Sequence, residues 1–573
     1  MKLRTGSAFL RIPFFCLSGR ETCTEFDTFC IKLKISLDFD GKIVYNDRVS
    51  KKLYQVPSHL KKGETMKKII TFFLALILVV SMFAACSTPE GPAGESTPSK
   101  TEGNSTPAPD ASGNGGGGEE QPETNEFEAI GFPESINLGG KVISVYHWAT
   151  SQAEFNVTDE QLDGDPIADS VYKRNLYTEQ LLNVELEFYD WEYKGNGLAE
   201  LLEACDYIKN AMSDASSSVD IIANYARVAP TGAIHGICYD LTSLDHLDLS
   251  KEWWPQNLKN EISLFDSVMF LSGDVSTSLI LMTYGMFYNK TLAEAYGIEN
   301  IVQLVDDGEW TIDKLIEVTK VGYEDIDTIS GKSNGDQFAI TFDYWNADAL
   351  VQGCGFKLLE NTTDGIRLAT NFTTQTFGAF IEKLGKWCAT DNVLDDSSYS
   401  GAPTNAFLEN RSIFHINALS NGFRLQETDV DYGIVPIPKM NKEQQNYITT
   451  PANSYSMYSI GRESKNAEDA GAVLQTLGYY GLNYTTPAVF EVTVQGKFSK
   501  DEDTMRLLNI LKNGVQFDLG LLYPRQVNGI CDIPTMAIKN NDEWSVKVDA
   551  REQQLLNMMV ERLNKDIREN LGL

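Results

Sequence analysis

The chain has 573 residues, which is too long for one compact domain and predicts two or three lobes. Its 80 acidic and 48 basic residues give a formal net charge of -32, and so acidic a surface argues against nucleic acid as a partner. The nine cysteines form no C-x-x-C pair, so the five in the folded part are interpreted as small core residues and not as a disulfide framework.

An export signal is predicted at residues 66–86, which read MKKIITFFLALILVVSMFAAC. Two lysines form a positive start, an apolar run follows, and two alanines directly precede Cys86. This end resembles a lipobox, with Phe83 where leucine is usual. It implies that Cys86 carries several acyl chains and anchors a bacterial lipoprotein at the extracytoplasmic face of the cell membrane. A plain transmembrane anchor is the alternative, but the apolar run is somewhat short for the ~20 residues that a span needs.

Two segments around this signal are expected to lie outside the folded part. Residues 1–65 precede a signal that normally begins a protein, and residues 62–64 can be encoded by a purine-rich ribosome-binding sequence. We therefore expect translation to start at Met66. Residues 87–137 are dominated by Ser, Thr, Pro, Gly and Glu, which bury too little apolar surface to offset the entropy of ordering. This segment is predicted to be a flexible tether between the lipid and the folded part.

From residue 138 the pattern becomes that of an α/β domain. Residues 141–148 (KVISVYHW) alternate and are rich in β-branched and aromatic side chains, which indicates a strand. Further strands are predicted at 184–188 and 219–223, with helices at 167–182 and 198–213. This alternation predicts right-handed crossovers and a mostly parallel sheet, whose ligands bind at the carboxyl ends of the strands. The residues placed at that edge are Trp148, Asn224, Tyr225 and Ala226.

Two more strands are predicted at 268–274 and 280–288, and Thr311 is predicted to be the N-cap of a helix. The second strand ends Phe287-Tyr288-Asn289-Lys290, and after a short acidic stretch Trp310-Thr311 opens the helix. This order resembles the hinge region of extracellular solute-binding proteins of the maltose-binding type. No single segment is specific, and the ordered set over residues 138–573 carries the resemblance. The further segments in the family's order are 337–343 with Tyr344-Trp345-Asn346, 405–417, 431–439, 453–461 and the helices 466–480 and 549–563.

The resemblance implies an α/β, two-lobed fold of the type II periplasmic-binding-protein kind, with the lobes joined by crossing hinge strands. Lobe 1 would comprise about residues 138–285 and 453–500, and lobe 2 about residues 289–450 and 505–573. The resemblance also implies a monomer that closes on a small solute, presents it to the permease subunits of an ABC importer and is not an enzyme. No cofactor and no metal are expected. In particular, residues 331–336 contain a lysine and few of the six or more oxygens that calcium needs.

A carbohydrate, either a mono- or an oligosaccharide, is the favoured ligand. Sugars need flat aromatic surfaces for their C–H faces and polar partners for their hydroxyls, and the chain has 8 Trp and 24 Tyr. Trp345 is the leading stacking candidate because it follows a predicted strand end in lobe 2. Trp148 and Tyr225 are its lobe-1 counterparts, and Asn417 and Tyr523 lie where the family's later contacts fall. Each of these side chains could instead belong to the core.

Two other functions stay open at this point. A secreted carbohydrate-active enzyme would need two carboxylates that flank a cleft, and the many acidic residues make it easy to nominate such a pair. A binding protein for a peptide, a polyamine or another cation would suit the acidic surface, although surface acid more often serves solubility. The five histidines show neither H-x-x-x-H nor H-E-x-x-H spacing, so a zinc hydrolase is not indicated.

Overall fold

The computed structural model describes residues 35–37, 43–45, 124–149, 152–192, 194–214, 217–396 and 401–573. Residues 1–115 and 116–573 form two separate compact units. In the first unit, residues 35–37 and 43–45 pair as antiparallel strands. The predicted export signal with Cys86 and most of the predicted tether lie outside the described residues, as does most of the segment 1–65.

Strands are found in both units. In chain order they are β1 Ile35–Leu37, β2 Ile43–Tyr45, β3 Lys141–Trp148, β4 Val184–Trp191, β5 Ile221–Tyr225, β6 Tyr284–Asn289, β7 Phe338–Asp343, β8 Leu359–Thr362, β9 Gly365–Leu368, β10 Val393–Asp396, β11 Ser412–Ala418, β12 Tyr432–Val435 and β13 Ser456–Ile460.

The described α-helices all lie in the second unit. In chain order they are α1 Thr124–Ile130, α2 Gln152–Phe155, α3 Pro166–Leu182, α4 Leu198–Ser213, α5 Val228–Ile234, α6 Gln256–Ile262, α7 Thr277–Leu281, α8 Lys290–Ala295, α9 Ile301–Asp306, α10 Ile312–Val318, α11 Ala347–Gly353, α12 Gln375–Cys388, α13 Ala402–Leu408, α14 Gly422–Leu425, α15 Ala467–Tyr480, α16 Glu502–Asn513, α17 Leu519–Leu522, α18 Asp532–Asn540, α19 Trp544–Lys547 and α20 Ala550–Leu571. After α15 the chain continues in π-helical turns, Gly481–Thr485 and Pro487–Phe498.

The first large sheet, which we call the lobe-1 sheet, has the strand order β13-β5-β3-β4. Strand β3 runs parallel to both β4 and β5, and the returning strand β13 is antiparallel to β5. The predicted alternation of strands and helices and the mostly parallel sheet are therefore confirmed in this lobe. The predicted strand at 268–274 is wrong, because only Leu271 forms a bridge there, to Tyr458.

The second large sheet, which we call the lobe-2 sheet, has the order β10-β7-β11-β6-β12. Strands β10, β7 and β11 are parallel, whereas β6 is antiparallel to both β11 and β12. The strand predicted at 280–288 begins only at Tyr284, because Ser276 caps the preceding helix α7 by accepting a hydrogen bond from Leu279 N (3.3 Å). The predicted N-cap of α10 is confirmed, since Thr311 accepts a hydrogen bond from Lys314 N (3.3 Å).

Two chain segments cross between the sheets side by side. Residues 276–284 lead out of lobe 1 into β6, and residues 449–456 lead back from lobe 2 into β13. Thr283 and Pro451 form a bridge, and Ala452 N donates to Met282 O (2.8 Å). A third segment runs beside them, because Thr449 N donates to Gly514 O (3.0 Å). The predicted hinge thus consists of neighbouring chain segments that are joined by backbone hydrogen bonds.

One boundary differs from the prediction. The folded part begins before residue 138, because the apolar residues Phe127, Ile130 and Phe132 are buried in the core. The π-helical segment 481–498, which was expected in lobe 1, contacts both lobes: it packs against helix α3 of lobe 1, and it buries Phe490 and Val494 in a cluster with Phe287 of the lobe-2 sheet. None of the helices in the described part of the chain combines the length and the apolar character needed to cross a membrane.

Candidate ligand-binding cleft

A small cavity lies where the ends of both sheets meet the crossing segments. Ala226 and Arg227, directly after β5, line it from lobe 1, and Tyr284 of β6 and Asp348 of α11 line it from lobe 2. The crossing residues 450–453 and the segment around α17 complete the wall. The cavity measures about 20 Å³, which has room for one water molecule but not for a sugar ring. In this conformation the two lobes are closed over the space between them.

Arg227 brings a buried cation to this cavity. Its side chain is only 4% exposed, and it follows β5 without a break in the chain. Its Nε donates to Leu521 O (3.2 Å), and one Nη contacts Cys531 Sγ (3.6 Å). The guanidinium has five N–H donors, so these two contacts leave donors for a further partner.

Asp348 brings a carboxylate to the same cavity from the opposite lobe. It lies in the first turn of α11, where the helix dipole favours a negative charge. Burial raises the pKa of Asp348 well above its usual value, and the nearby Arg227 charge opposes that rise. Asp348 is half-buried, and no described residue donates a hydrogen bond to its carboxylate or forms an ion pair with it. An acceptor without a donor, in a site with spare donors, suits a ligand that carries hydroxyl groups.

Aromatic and amide side chains surround this charged pair. Tyr284 donates its hydroxyl to Asn346 Oδ1 (2.9 Å), and Asn346 in turn donates to Ile416 O (3.1 Å). Tyr455, in the returning crossing segment, packs against Phe517 with a ring-centroid separation of 6.4 Å. These contacts fix the walls of the cavity on both the lobe-2 side and the crossing side.

The lobe-1 residues singled out from the sequence lie beside this cavity but are covered. Tyr225 is buried and donates its hydroxyl to Asn453 Oδ1 (2.7 Å), and Asn453 lines the cavity. Trp148 is buried against Tyr225 (5.6 Å between ring centroids) and donates its indole N–H to Ser456 Oγ (3.0 Å). Neither ring presents a free face to the cavity in the closed conformation. A direct contact with a ligand would require them to be uncovered.

The other predicted site residues are more dispersed. Trp345 is half-buried in the turn between β7 and α11 and packs edge-on against Tyr344 (5.1 Å). Asn417 is half-buried near the end of β11 and donates to Thr404 Oγ1 (3.2 Å). Tyr523 is buried next to Phe270 (6.4 Å). None of these three residues lines the cavity itself.

Arg227 and Asp348 were not among the residues predicted from the sequence. The predicted binding edge ended at Ala226, one residue before Arg227, and Asp348 lies three residues after Trp345. Extending each strand end by a few residues would have reached both. Both residues follow aromatic side chains, Tyr225 and Trp345, on which the prediction of a sugar-stacking surface rested.

The loop 331–336, in which no metal is expected, brings Asp336 close to two carboxylates of the preceding residues. One oxygen from each of Asp325, Asp327 and Asp336 lies within 4.8 Å of the others. The backbone N–H of Ser333 donates to Asp336 (2.7 Å), and its hydroxyl donates to Asp327. Lys332 does not enter the cluster, because its Nζ donates to Val393 O (2.6 Å). The absence of a metal stays a prediction, but the lysine is not the reason for it.

The same loop has the spacing G-x-S-x-G at residues 331–335, which is typical of hydrolase nucleophile elbows. Such an elbow places serine on a sharp turn between a strand and a helix. Here the serine lies in an irregular loop ahead of β7, and its hydroxyl donates to Asp327. The spacing therefore does not indicate a serine hydrolase.

A carboxylate at the end of β7 gives the folded state a pH dependence. Asp343 lies opposite Asp396 of β10 in the sheet register, and burial together with the Asp396 charge raises the pKa of Asp343 to about 6. Between about pH 4 and pH 6, the Asp343 carboxyl is therefore protonated in the folded state but ionised in the unfolded chain. Stability that is present below pH 4 is lost as the pH rises to 6.

The variant Asp343→Asn should remove this loss. Its melting temperature is expected to equal that of the parent at pH 4 and to exceed it by roughly 2 °C at pH 7.5. Thermal unfolding followed by circular dichroism at both pH values measures the difference. An offset that is the same at every pH would show that Asp343 does not titrate in this range.

Sequence comparison finds no protein-family model that matches the chain and no curated protein that resembles it. The structure is similar to that of the sugar-binding protein MalE from Xanthomonas citri, with a TM-score of 0.50 and 10% identity, over 74% of this chain and 98% of that chain. This is a type II periplasmic-binding-protein fold. A second similar structure is the galacto-N-biose-/lacto-N-biose I-binding protein of the ABC transporter from Bifidobacterium longum, with a TM-score of 0.47 and 13% identity, over 76% of this chain and 98% of that chain.

The type II fold explains why the cavity lies where it does. In open α/β sheets, ligands bind outside the carboxyl ends of the strands. The carboxyl ends of β5 and β7 lead directly to Arg227 and to the turn before Asp348. The space between these two ends is the candidate ligand cleft.

Proposed function

We propose that this chain is the membrane-tethered, extracytoplasmic solute-binding protein of an ABC importer, and that it captures a carbohydrate by hinge closure. The observation that carries the proposal is the pairing of Arg227 and Asp348 across one cavity at the hinge of a type II fold. The similar structure of the sugar-binding protein MalE from Xanthomonas citri points the same way. Cys86 at the end of the predicted export signal supports the tether, and the ABC permease is the partner that such a receptor serves.

The chemistry of the cleft suits hydroxyl groups. A sugar hydroxyl both donates and accepts, so neighbouring hydroxyls can donate to Asp348 and accept from Arg227 at the same time. Hydrogen bonds to charged groups contribute more than neutral ones, about 1.5–3 kcal/mol each. Tyr284, Tyr455 and Phe517 supply apolar surface beside this pair. Trp345 stays the proposed stacking residue, because it is half-buried and lies three residues before Asp348.

Closure follows from where the ligand would be held. Arg227 belongs to lobe 1 and Asp348 to lobe 2, so a ligand that contacts both stabilises the closed state over the open one. A cavity of about 20 Å³ cannot admit a sugar, so the lobes must separate before binding. The guanidinium of Arg227 repels cations, so the cleft disfavours a simple cation even though it contains Asp348. The expected role is capture without chemical change of the ligand.

A thermal-shift screen of the purified protein tests this proposal. The panel contains mono- and oligosaccharides, with spermidine and short peptides as the rival ligands. A matching saccharide at about 100 times its Kd is expected to stabilise the protein by about 2.7 kcal/mol, while the rivals give no shift. Stabilisation by spermidine or peptides alone would overturn the carbohydrate assignment. Turnover of a bound saccharide, assayed by its products, would make the protein an enzyme instead.

A further inference from the structure

A buried carboxylate lies where the two crossing segments leave lobe 1. Glu154 of α2 is 4% exposed and sits in the connection between β3 and α3. Its Oε1 accepts hydrogen bonds from the hydroxyls of Ser276 (2.5 Å) and Ser278 (3.0 Å). Its Oε2 accepts one from the hydroxyl of Ser456 (2.8 Å). One side chain thus collects three hydroxyl donors.

The three serines come from the two crossing segments. Ser276 and Ser278 lie at the start of α7, in the segment that leads out to the lobe-2 sheet. Ser456 is the first residue of β13, at the point where the chain returns. Ser456 N also donates to Ser278 Oγ (3.0 Å), which ties the two segments to each other. Glu154 therefore holds the outgoing and the returning segment at one point.

A buried arginine of lobe 1 also holds the place where the two crossing segments meet. Arg174 of α3 is 2% exposed and donates to Val275 O (2.5 Å) and to the backbone carbonyl of Glu154 (3.0 Å). Burial raises the pKa of the Glu154 carboxyl, and the hydrogen bonds from the three serines oppose that rise. Trp148 adds a hydrogen bond to Ser456 Oγ (3.0 Å). We call Glu154, Arg174 and the three serines the hinge clamp.

We propose that Glu154 is a positioning residue that fixes the lobe-1 ends of both crossing segments, so that hinge bending takes place beyond the hinge clamp, at residues 279–283 and 450–455. This inference rests on the proposed function only in assuming that the lobes open and close. The stretch 450–455 contains Asn453 and Tyr455, which line the cleft. The hinge clamp therefore also sets the starting point from which these two side chains turn toward or away from a ligand.

The test measures the distance between the lobes without any ligand. Spin labels are placed at Lys209→Cys on α4 and Lys386→Cys on α12, both exposed, while the five cysteines of the described residues are buried. The parent is expected to give one narrow distance distribution. Glu154→Gln, which cannot accept from all three hydroxyls, is expected to give a broad or bimodal one.

Hydrogen exchange in the same variants locates the change. In Glu154→Gln, exchange of the amides at residues 275–278 and 456–458 is expected to rise about tenfold, the effect of one lost charge-assisted hydrogen bond. Amides of β7 should not change. Ser456→Ala, which keeps the carboxylate and removes one donor, should shift both readouts in the same direction if Glu154→Gln folds poorly. Glu128→Gln on α1 is the matched control, because its side chain is exposed and has no hydrogen-bond partner among the described residues.

The outcomes separate this inference from the proposed function. An unchanged distance distribution and unchanged exchange at the hinge clamp in both variants would overturn the role of Glu154, whatever ligand the protein binds. A broadened distribution supports it even if no saccharide in the thermal-shift panel binds. A uniform rise in exchange throughout both sheets would mean that Glu154 contributes only to overall stability, which also contradicts the proposal.

Discussion

Replacing Arg227 by methionine is expected to weaken binding of the stabilising saccharide by more than about 100-fold, the loss of two hydrogen bonds from a charged donor. Methionine keeps the apolar stem but provides no N–H donors. The guanidinium is buried beside the cavity, so water cannot replace it at low cost. Calorimetric titration with the saccharide that gives the largest thermal shift measures the change in Kd.

The controls for this variant address charge and folding separately. Arg551→Met removes an exposed arginine of α20 that forms no ion pair with the described residues, and it should leave the Kd unchanged. Asp348→Asn removes the opposing charge while keeping the size of the side chain, and is expected to weaken binding by roughly tenfold. If Arg227→Met folds normally and its Kd stays within about threefold of the parent, Arg227 does not contact the ligand.

Asp518→Ala is expected to lower the free energy of unfolding by about 3–5 kcal/mol, because four buried neutral donors lose their acceptor. Asp518 is 1% exposed and accepts hydrogen bonds from Gln352 Nε2 (2.9 Å) and from the backbone N–H of Leu358 (2.7 Å), Leu359 (3.2 Å) and Gly520 (2.6 Å). Alanine would leave these buried donors without an acceptor, and each such donor costs about 1–3 kcal/mol.

Urea denaturation followed by tryptophan fluorescence measures this loss. Asp518→Asn keeps one acceptor oxygen, so its loss should be smaller than that of Asp518→Ala. Asp364→Ala, at an exposed turn between β8 and β9, is the matched control and should stay within about 0.5 kcal/mol of the parent. A change of similar size in the two alanine variants would contradict the role assigned to Asp518. Because Asp518 lines the cleft, a weaker ligand affinity is expected as well.

Much of the fold could be predicted because local pattern and tertiary structure agree in it. The alternating residues of β3 and the helical spacing of α3 and α4 gave elements close to those observed. The errors fall where long-range contacts decide. Residues 268–274 are as apolar as a strand, but they make only a single bridge with Tyr458, and no sequence pattern shows how many partners a strand will find.

Boundaries were missed for a related reason. Phe127, Ile130 and Phe132 are few apolar residues at the end of a polar segment, yet each is buried in the core. The average composition of segment 87–137 is polar, so these residues do not stand out in the sequence. Tertiary packing nevertheless buries them. Phe490 is a further example. It packs in the apolar cluster of the lobe-2 sheet, although its segment follows a lobe-1 helix in the chain.

The candidate site was predicted in position more than in residues. The carboxyl end of β5 does meet the cavity, as the strand pattern implied, and Ala226 lines it. Sequence cannot show which side of a strand end faces the cleft, and Trp148 and Tyr225 are turned into the protein, where they bind crossing-segment side chains. The charged pair of Arg227 and Asp348 becomes visible only when the two lobes are brought together.

A crystal structure of the protein grown with the saccharide that raises its melting temperature most tests the central claim directly. The prediction is density for the sugar between the two large sheets, with its hydroxyls hydrogen-bonded to Arg227 and Asp348. The cleft should then be larger than the cavity of about 20 Å³. Density for the sugar on an outer face of either lobe, with the cleft still filled by its own side chains, would contradict it.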